Sequence, residues 1–201
     1  FPERWVASLG LQLPVFALNS GLAAVAHFSL GSSLLLMPLR LFGFSFSTVY
    51  LQKASETSDR PEEMRRITIG LYKRLYSVGF IPFLLLIFWA DVAFEVIFGG
   101  PWRDAGVFTA YLGGFYFFRL LTDPMVSLFN VQRRDHVNLL FQGVLLVARL
   151  VAMGAALHLG MGSGGIMLSY ALVSMAGYIV LSAHLLTSVG LAGLRITLKY
   201  A

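Results

Sequence analysis

The sequence predicts an all-α polytopic membrane protein, a bundle of six transmembrane helices. Three observations predict it. Of 201 residues, 57% are hydrophobic and 12% charged, where a soluble chain carries about 25% charged residues, and the mean hydropathy is +0.75. Apolar runs recur at lengths near the ~20 residues that cover a ~30 Å hydrocarbon layer. Lys and Arg fall in alternate loops. Together these exclude an ordinary soluble enzyme. Cysteine is absent, which removes disulfides, thiolate metal sites and cysteine nucleophiles. Four histidines without ligand spacing predict no metal, and nothing points to a cofactor. The chain starts at Phe1 with no charged region ahead of a short apolar stretch, so it reads as a fragment whose beginning is missing rather than as a signal peptide.

No composition shift divides the chain, so residues 1–201 form one domain with spans near 5–26, 28–51, 67–90, 106–128, 137–159 and 165–186. The first opens on Trp5, contains Pro14 and spaces Ser8, Gln12 and Asn19 at helical intervals; only His27 separates it from the second. On the second, Ser33, Arg40 and Ser47 stand seven apart and nearly superpose in projection, with Ser29 and Gly43 beside them and Pro38 between. Residues 52–66 are hydrophilic. Their Ser58, Asp59, Pro61, Glu62 and Glu63 spell a helix start, and Glu62 with Arg66 makes an i,i+4 pair on a solvated face. The third span contains Pro82, is almost wholly apolar after Ser77, and is extended at its start by Lys73 and Arg74, whose heads reach back to the interface. Residues 91–100, with Asp91 and Glu95, are expected flat on the outer interface.

The fourth span carries Tyr116, Arg119 and Asp123 at i, i+3 and i+7 and ends near Pro124; the fifth carries Asn138, Gln142 and Arg149. On the sixth, Tyr170, Ser174, Tyr178 and Ser182 form a weaker stripe that suits helix packing through small residues equally well. Arg4, the six cations between Lys53 and Arg74, Arg133, Arg134, Arg195 and Lys199 lie on one side under this scheme, and Arg103 alone on the other. The positive-inside rule then puts both ends in the cytoplasm. The net charge of +5 is explained by that topology, and no nucleic-acid partner is expected.

Arg40, Arg119 and Arg149 stand apart from this scheme, at about 18 Å from the outer end of the second span, about 20 Å from the outer end of the fourth and about 18 Å from the inner end of the fifth, in or near the middle third of each. Each costs about 2.5–3.5 kcal/mol at a helix centre, so the three carry roughly 8–10 kcal/mol unless water or partners reduce it. Two structural explanations compete with a functional one. Arg119 can pair with Asp123 one turn away, and Arg40 or Arg149 can bond carbonyls freed at proline kinks. Three cations on three helices without matching acids favour a wet, positive cavity for an anion, lined by helices one, two, four and five, with three and six toward lipid. The expected binding set is Arg40, Arg119 and Arg149 with Gln12, Asn19, Ser33, Tyr116, Asp123, Asn138 and Gln142. Prolines 14, 38, 82 and 124 would let the helices bend. Gly160, Gly162 and Gly165 satisfy the dinucleotide pattern, but no strand precedes them and no acid follows about 20 residues on, so nucleotide binding is rejected. His27, His158 and His184 sit at helix ends and His136 in a loop, which makes no catalytic set.

The run FSLGSSLLLMPLRLFGFSFSTVYLQKASE, residues 28–56, resembles the second helix in the C-terminal half of bacterial polysaccharide biosynthesis proteins. These are O-antigen and exopolysaccharide repeat-unit flippases of the multidrug/oligosaccharidyl-lipid/polysaccharide exporter superfamily. Phe98, Gly99, Trp102, Ala105 and Gly106 resemble the family's F-G-x-x-W-x-x-A-G segment, and Pro124 followed by Arg133 resembles a further region. The resemblance implies 12 or 14 helices in two lobes, of which this chain is the C-terminal one and a missing N-terminal lobe the partner. It implies movement of an undecaprenyl-pyrophosphate-linked oligosaccharide across the bacterial plasma membrane by alternating access, for lipopolysaccharide or exopolysaccharide synthesis. Arginines would hold the pyrophosphate while the polyprenyl tail stays among membrane lipids, and polysaccharide polymerase or export machinery would be further partners. Where relatives carry arginine this chain has Ser33, so the role passes to Arg40 by geometry. Two alternatives stand beside this reading: a multidrug or cation-coupled exporter using Asp123, and a membrane-embedded glycosyl-phosphate transferase using Asp91, Glu95 and Asp104.

Overall fold

The described residues are almost wholly helical, and among them there is no strand. The computed structural model describes residues 2–17, 22–57, 60–126, 129, 135–188 and 190. Helix α1 covers Pro2–Ala17 and α2 covers Leu22–Pro38. Pro38 has no N–H to give the Leu34 carbonyl, and the chain passes directly into a π-helical segment, Leu39–Gly43, before resuming as α3, Phe44–Glu56. Helix α4 runs Pro61–Phe98, α5 Arg103–Thr122, α6 Asp135–His158 and α7 Ser163–Ser188; short 3-10 turns at Gly100–Trp102 and Asp123–Val126 flank α5.

Four of these are long and apolar enough to cross a membrane: the continuous stretch Leu22–Glu56, Pro61–Phe98, Asp135–His158 and Ser163–Ser188. The expected six do not all meet that measure. Helix α1 has 16 residues, about 24 Å, and α5 is set apart by its surroundings. Thirteen of its 20 residues are buried, because it packs against α4 on one side, α7 on another and α2 on a third. Its small residues permit this. A side chain at Gly106 would overlap the backbone of Ala90 and Asp91, so α4 and α5 touch main chain to main chain.

Three boundaries differ from expectation. The span at 5–26 ends early, since α1 stops at Ala17 and Leu22 already belongs to α2. His27 therefore marks no boundary. It sits inside α2 with its ring edge-on to Trp102 at 5.6 Å and Phe108 at 6.5 Å. Residues 91–98 do not lie flat as a separate piece; they continue α4, which reaches 38 residues, about 57 Å, well beyond a ~30 Å hydrocarbon layer. Asp91 and Glu95 are one turn apart, and Arg103 reaches both, at 3.5 and 3.3 Å. Between Asp91 and Phe98 there is no Gly or Pro, and the helix ends only at Gly99, whose φ is 94°. The fourth span, expected to 128, ends as an α-helix at Thr122 and tightens into the turn that holds Pro124.

The start of α4 is as expected, with Pro61 in the first turn and Glu62 and Glu63 behind it. Glu62 pairs with Arg65 at 3.6 Å rather than with Arg66, which takes Glu63 at 3.9 Å. These pairs are exposed and worth only tenths of a kcal/mol.

Candidate functional site

The polar residues singled out in the sequence divide into an interior group and an exterior group. Arg149 on α6 leads the interior one. Its side chain is 2% exposed, among the largest fully enclosed side chains in the protein. Nε donates to Ser174 Oγ on α7 at 2.8 Å. The guanidinium carbon lies 5.4 Å from the ring centre of Phe115 on α5 and 5.1 Å from that of Tyr170 on α7. Such contacts over aromatic faces are worth about 0.5–2 kcal/mol each. Gly10 on α1 makes the room, since a Cβ there would stand 2.6 Å from Nη1. Tyr170 closes the same corner by donating its hydroxyl to the Gly10 carbonyl at 3.2 Å. Nη2 has no hydrogen-bond partner, and among the described residues no carboxylate pairs with Arg149.

Arg119 lies one aromatic layer away. Its Nε donates to Asp123 Oδ2 at 3.0 Å, with side-chain exposures of 15% and 34%, and its guanidinium carbon is 5.7 Å from the Tyr116 ring. Asp123 is held there because α5 tightens into its 3-10 turn at that residue. The pairing foreseen as the structural alternative for Arg119 is therefore present, although Nη1 is enclosed without a partner. Phe115 joins the two arginines into one cluster: its ring is 4.7 Å from Tyr116, 5.3 Å from Tyr178 and 6.1 Å from Tyr170. Gln142 bonds Tyr178, and Asn138, also buried, keeps an unpartnered Oδ1. Tyr116, Arg119, Asp123, Asn138, Gln142 and Arg149 thus come together between α5, α6 and α7.

The exterior group is on α1 and α2. Gln12 is exposed on α1 with Ser8 one turn before it. On α2, Ala26, Ser29, Ser33, Met37 and Arg40 are all exposed, and their spacings of three and four residues place them on one face. Arg40 falls in the π-helical segment and makes no ion pair among the described residues. The other open faces differ in kind. On α4 the exposed residues include Ile81, Leu85, Phe88, Trp89, Val92 and Val96, and on α6 Leu140, Val144, Val147, Val151 and Leu157. Asn19 lies outside the described residues.

The expected wall of helices one, two, four and five is not what is seen, because α5 is enclosed rather than open on a cavity. A groove of about 850 Å³ between α1 and α6 is lined by His136 and by apolar residues such as Val6, Leu140 and Val144, and a pocket of about 460 Å³ by His27, Asp104 and Ser163 among others. Neither contains any of the expected binding residues. Gly10, Phe115, Tyr170, Ser174 and Tyr178 were missed as parts of the arginine cluster. The α7 stripe at 170, 174 and 178 was the available signal, and it faces Arg149 rather than merely filling space. Among the described residues, no group of three or more His, Cys, Asp or Glu could hold a metal. Neither a protein-family model, nor a curated protein, nor a solved structure matches this chain. Fold and site define an all-helical protein, with four helices fit to cross a membrane and an enclosed arginine among aromatic rings.

Proposed function

We propose that this chain is one lobe of a membrane transporter that carries a lipid-linked, pyrophosphate-bearing oligosaccharide across the bacterial plasma membrane by alternating access. In this reading it crosses six times with both ends cytoplasmic, and the face carrying Gln12, Ser29, Ser33 and Arg40 closes a wet cavity against a second helical lobe. One observation carries the reading: the exposed face of α2 carries Ser29, Ser33 and Met37 and leads to Arg40, which makes no ion pair among the described residues, while the exposed residues of α4 between 80 and 98 and of α6 between 140 and 157 are all apolar. Lipid suits the second kind of face and not the first. Arg40 would meet the phosphates. Arg149, without a carboxylate of its own, would add positive potential from behind α1, and the prenyl chain would remain in lipid.

Existing ion pairs weigh against both alternatives. A cation-coupled exporter using Asp123 must compete with Arg119 for that carboxylate, and of the three acids a transferase would use, Asp91 and Glu95 are held by Arg103, which leaves Asp104 alone. The test is surface-polysaccharide export in cells carrying Arg40→Ala or Arg40→Lys in the full-length protein. Export lost in Arg40→Ala and partly kept in Arg40→Lys, at equal membrane levels, supports the reading; normal export in Arg40→Ala overturns it.

A further inference from the structure

A second cationic site lies away from the arginine cluster, where α3 and α4 run beside each other. Phe46, Val49, Tyr50 and Lys53 of α3 line one wall of a pocket of about 230 Å³, and Ile67, Gly70, Leu71 and Arg74 of α4 the other. Each set follows the spacing i, i+3, i+4, i+7, so each helix presents one stripe and the pocket runs along the seam. The seam is pinned next to it by the buried hydrogen bond between the Tyr50 hydroxyl and Thr68 Oγ1 at 2.9 Å. Lys53 and Arg74 are exposed, neither makes an ion pair among the described residues, and no acid lines the pocket. Of the nearby acids, Glu62 and Glu63 are engaged by Arg60, Arg65 and Arg66, and Glu56, which does not line the pocket, accepts from Gln52 Nε2 at 3.1 Å. Gly70 keeps the space open, since a Cβ there would meet nothing within 4 Å.

The location specifies the chemistry. This end of α3 and α4 leads into the hydrophilic stretch 52–66, so the pocket stands where the apolar part of both helices gives way to water. Two unpaired cations over an apolar floor at such a boundary match a phosphate head above acyl chains. We propose that the α3–α4 seam is a binding site for an anionic phospholipid, its phosphate held by Lys53 and Arg74 and its chains laid along Phe46, Val49 and Leu71. The site depends on a membrane location but not on the transport reading, and a failure of either leaves the other standing.

The experiment is native mass spectrometry of the full-length protein titrated in detergent with phosphatidylglycerol, phosphatidylcholine or inorganic phosphate. Three variants are compared: Lys53→Gln with Arg74→Gln, Gly70→Leu, and Arg65→Gln with Arg66→Gln. The last removes the same charge from the same end without touching the pocket. Each cation near a lipid surface contributes about fivefold, so the Lys53/Arg74 pair should retain phosphatidylglycerol roughly 10- to 30-fold less well than the parent. Gly70→Leu, which fills the space and keeps both charges, should fall comparably, and the Arg65/Arg66 pair should bind nearly as the parent does. Equal losses in both glutamine pairs would reduce the effect to general attraction and overturn the site. So would undiminished binding in Gly70→Leu, or occupancy by inorganic phosphate without preference for phosphatidylglycerol over phosphatidylcholine.

Discussion

Replacing Arg149 with methionine separates the two reasons a protein could keep a guanidinium in its interior. Methionine has nearly the right length and no charge. The change loses the hydrogen bond to Ser174, worth about 2 kcal/mol for a charged donor, and two ring contacts of about 1 kcal/mol each. It removes an enclosed cation, which at the centre of a membrane helix costs about 3 kcal/mol, and an orphaned Nη2 that costs about 1 kcal/mol. Ser174 can turn its hydroxyl back to the carbonyl four residues earlier and so remains satisfied. The two sides are each near 4 kcal/mol, so Arg149→Met should leave stability within about 1.5 kcal/mol, a shift in thermal midpoint under ~6 °C for a chain of this size. Export should nevertheless be lost, because no positive charge remains there. Tryptophan-fluorescence melts in detergent, run beside an export assay, read both quantities. A destabilisation above about 3 kcal/mol would make Arg149 a structural tie, and full export in a well-folded Arg149→Met protein would refute its electrostatic role.

The remaining predictions concern packing and pairing. Gly106→Val drives a branched side chain into the α4 backbone at Ala90 and Asp91; melts and membrane yield should show a loss of about 3 kcal/mol or more. For Arg119 and Asp123, a double-mutant cycle with Arg119→Gln and Asp123→Asn should give a coupling of about 1–2 kcal/mol, below that of a fully buried pair because the side chains are 15% and 34% exposed. Glu63→Gln, at an exposed end of α4 where it meets Arg60 and Arg66, should change the melting midpoint by less than about 0.5 kcal/mol equivalent.

Much of this architecture was legible because bilayer thickness and helical rise constrain apolar runs directly. The start of α4 at Pro61 and the limits of α6 and α7 fell within two residues of those expected, where a capping signal or a clean apolar run marked them. Boundaries failed where the competing signals were weak. His27, a lone polar residue between apolar neighbours, sits inside a helix, and the acids at 91 and 95 do not end α4, since Arg103, eight to twelve residues on, neutralises them. The candidate site was legible as stripes but not as an assembly. Periodicity shows that Ser33 and Arg40 share a face and that Tyr116, Arg119 and Asp123 share another, yet it cannot say which face meets which. That Arg149 would rest on Ser174, Phe115 and Tyr170 depends on how α5, α6 and α7 cross, and that crossing is set by contacts between distant residues.

Thiol labelling at single engineered cysteines tests the polar face of α2 most directly, since these 201 residues contain no cysteine of their own. Ser33→Cys is compared with Leu85→Cys on α4 and Val144→Cys on α6, all exposed positions, in intact membranes with a charged, water-soluble maleimide. A hydrated cavity at α2 predicts rapid modification at position 33 and little at 85 or 144. Equal protection at all three positions would place the α2 face in lipid and contradict the account.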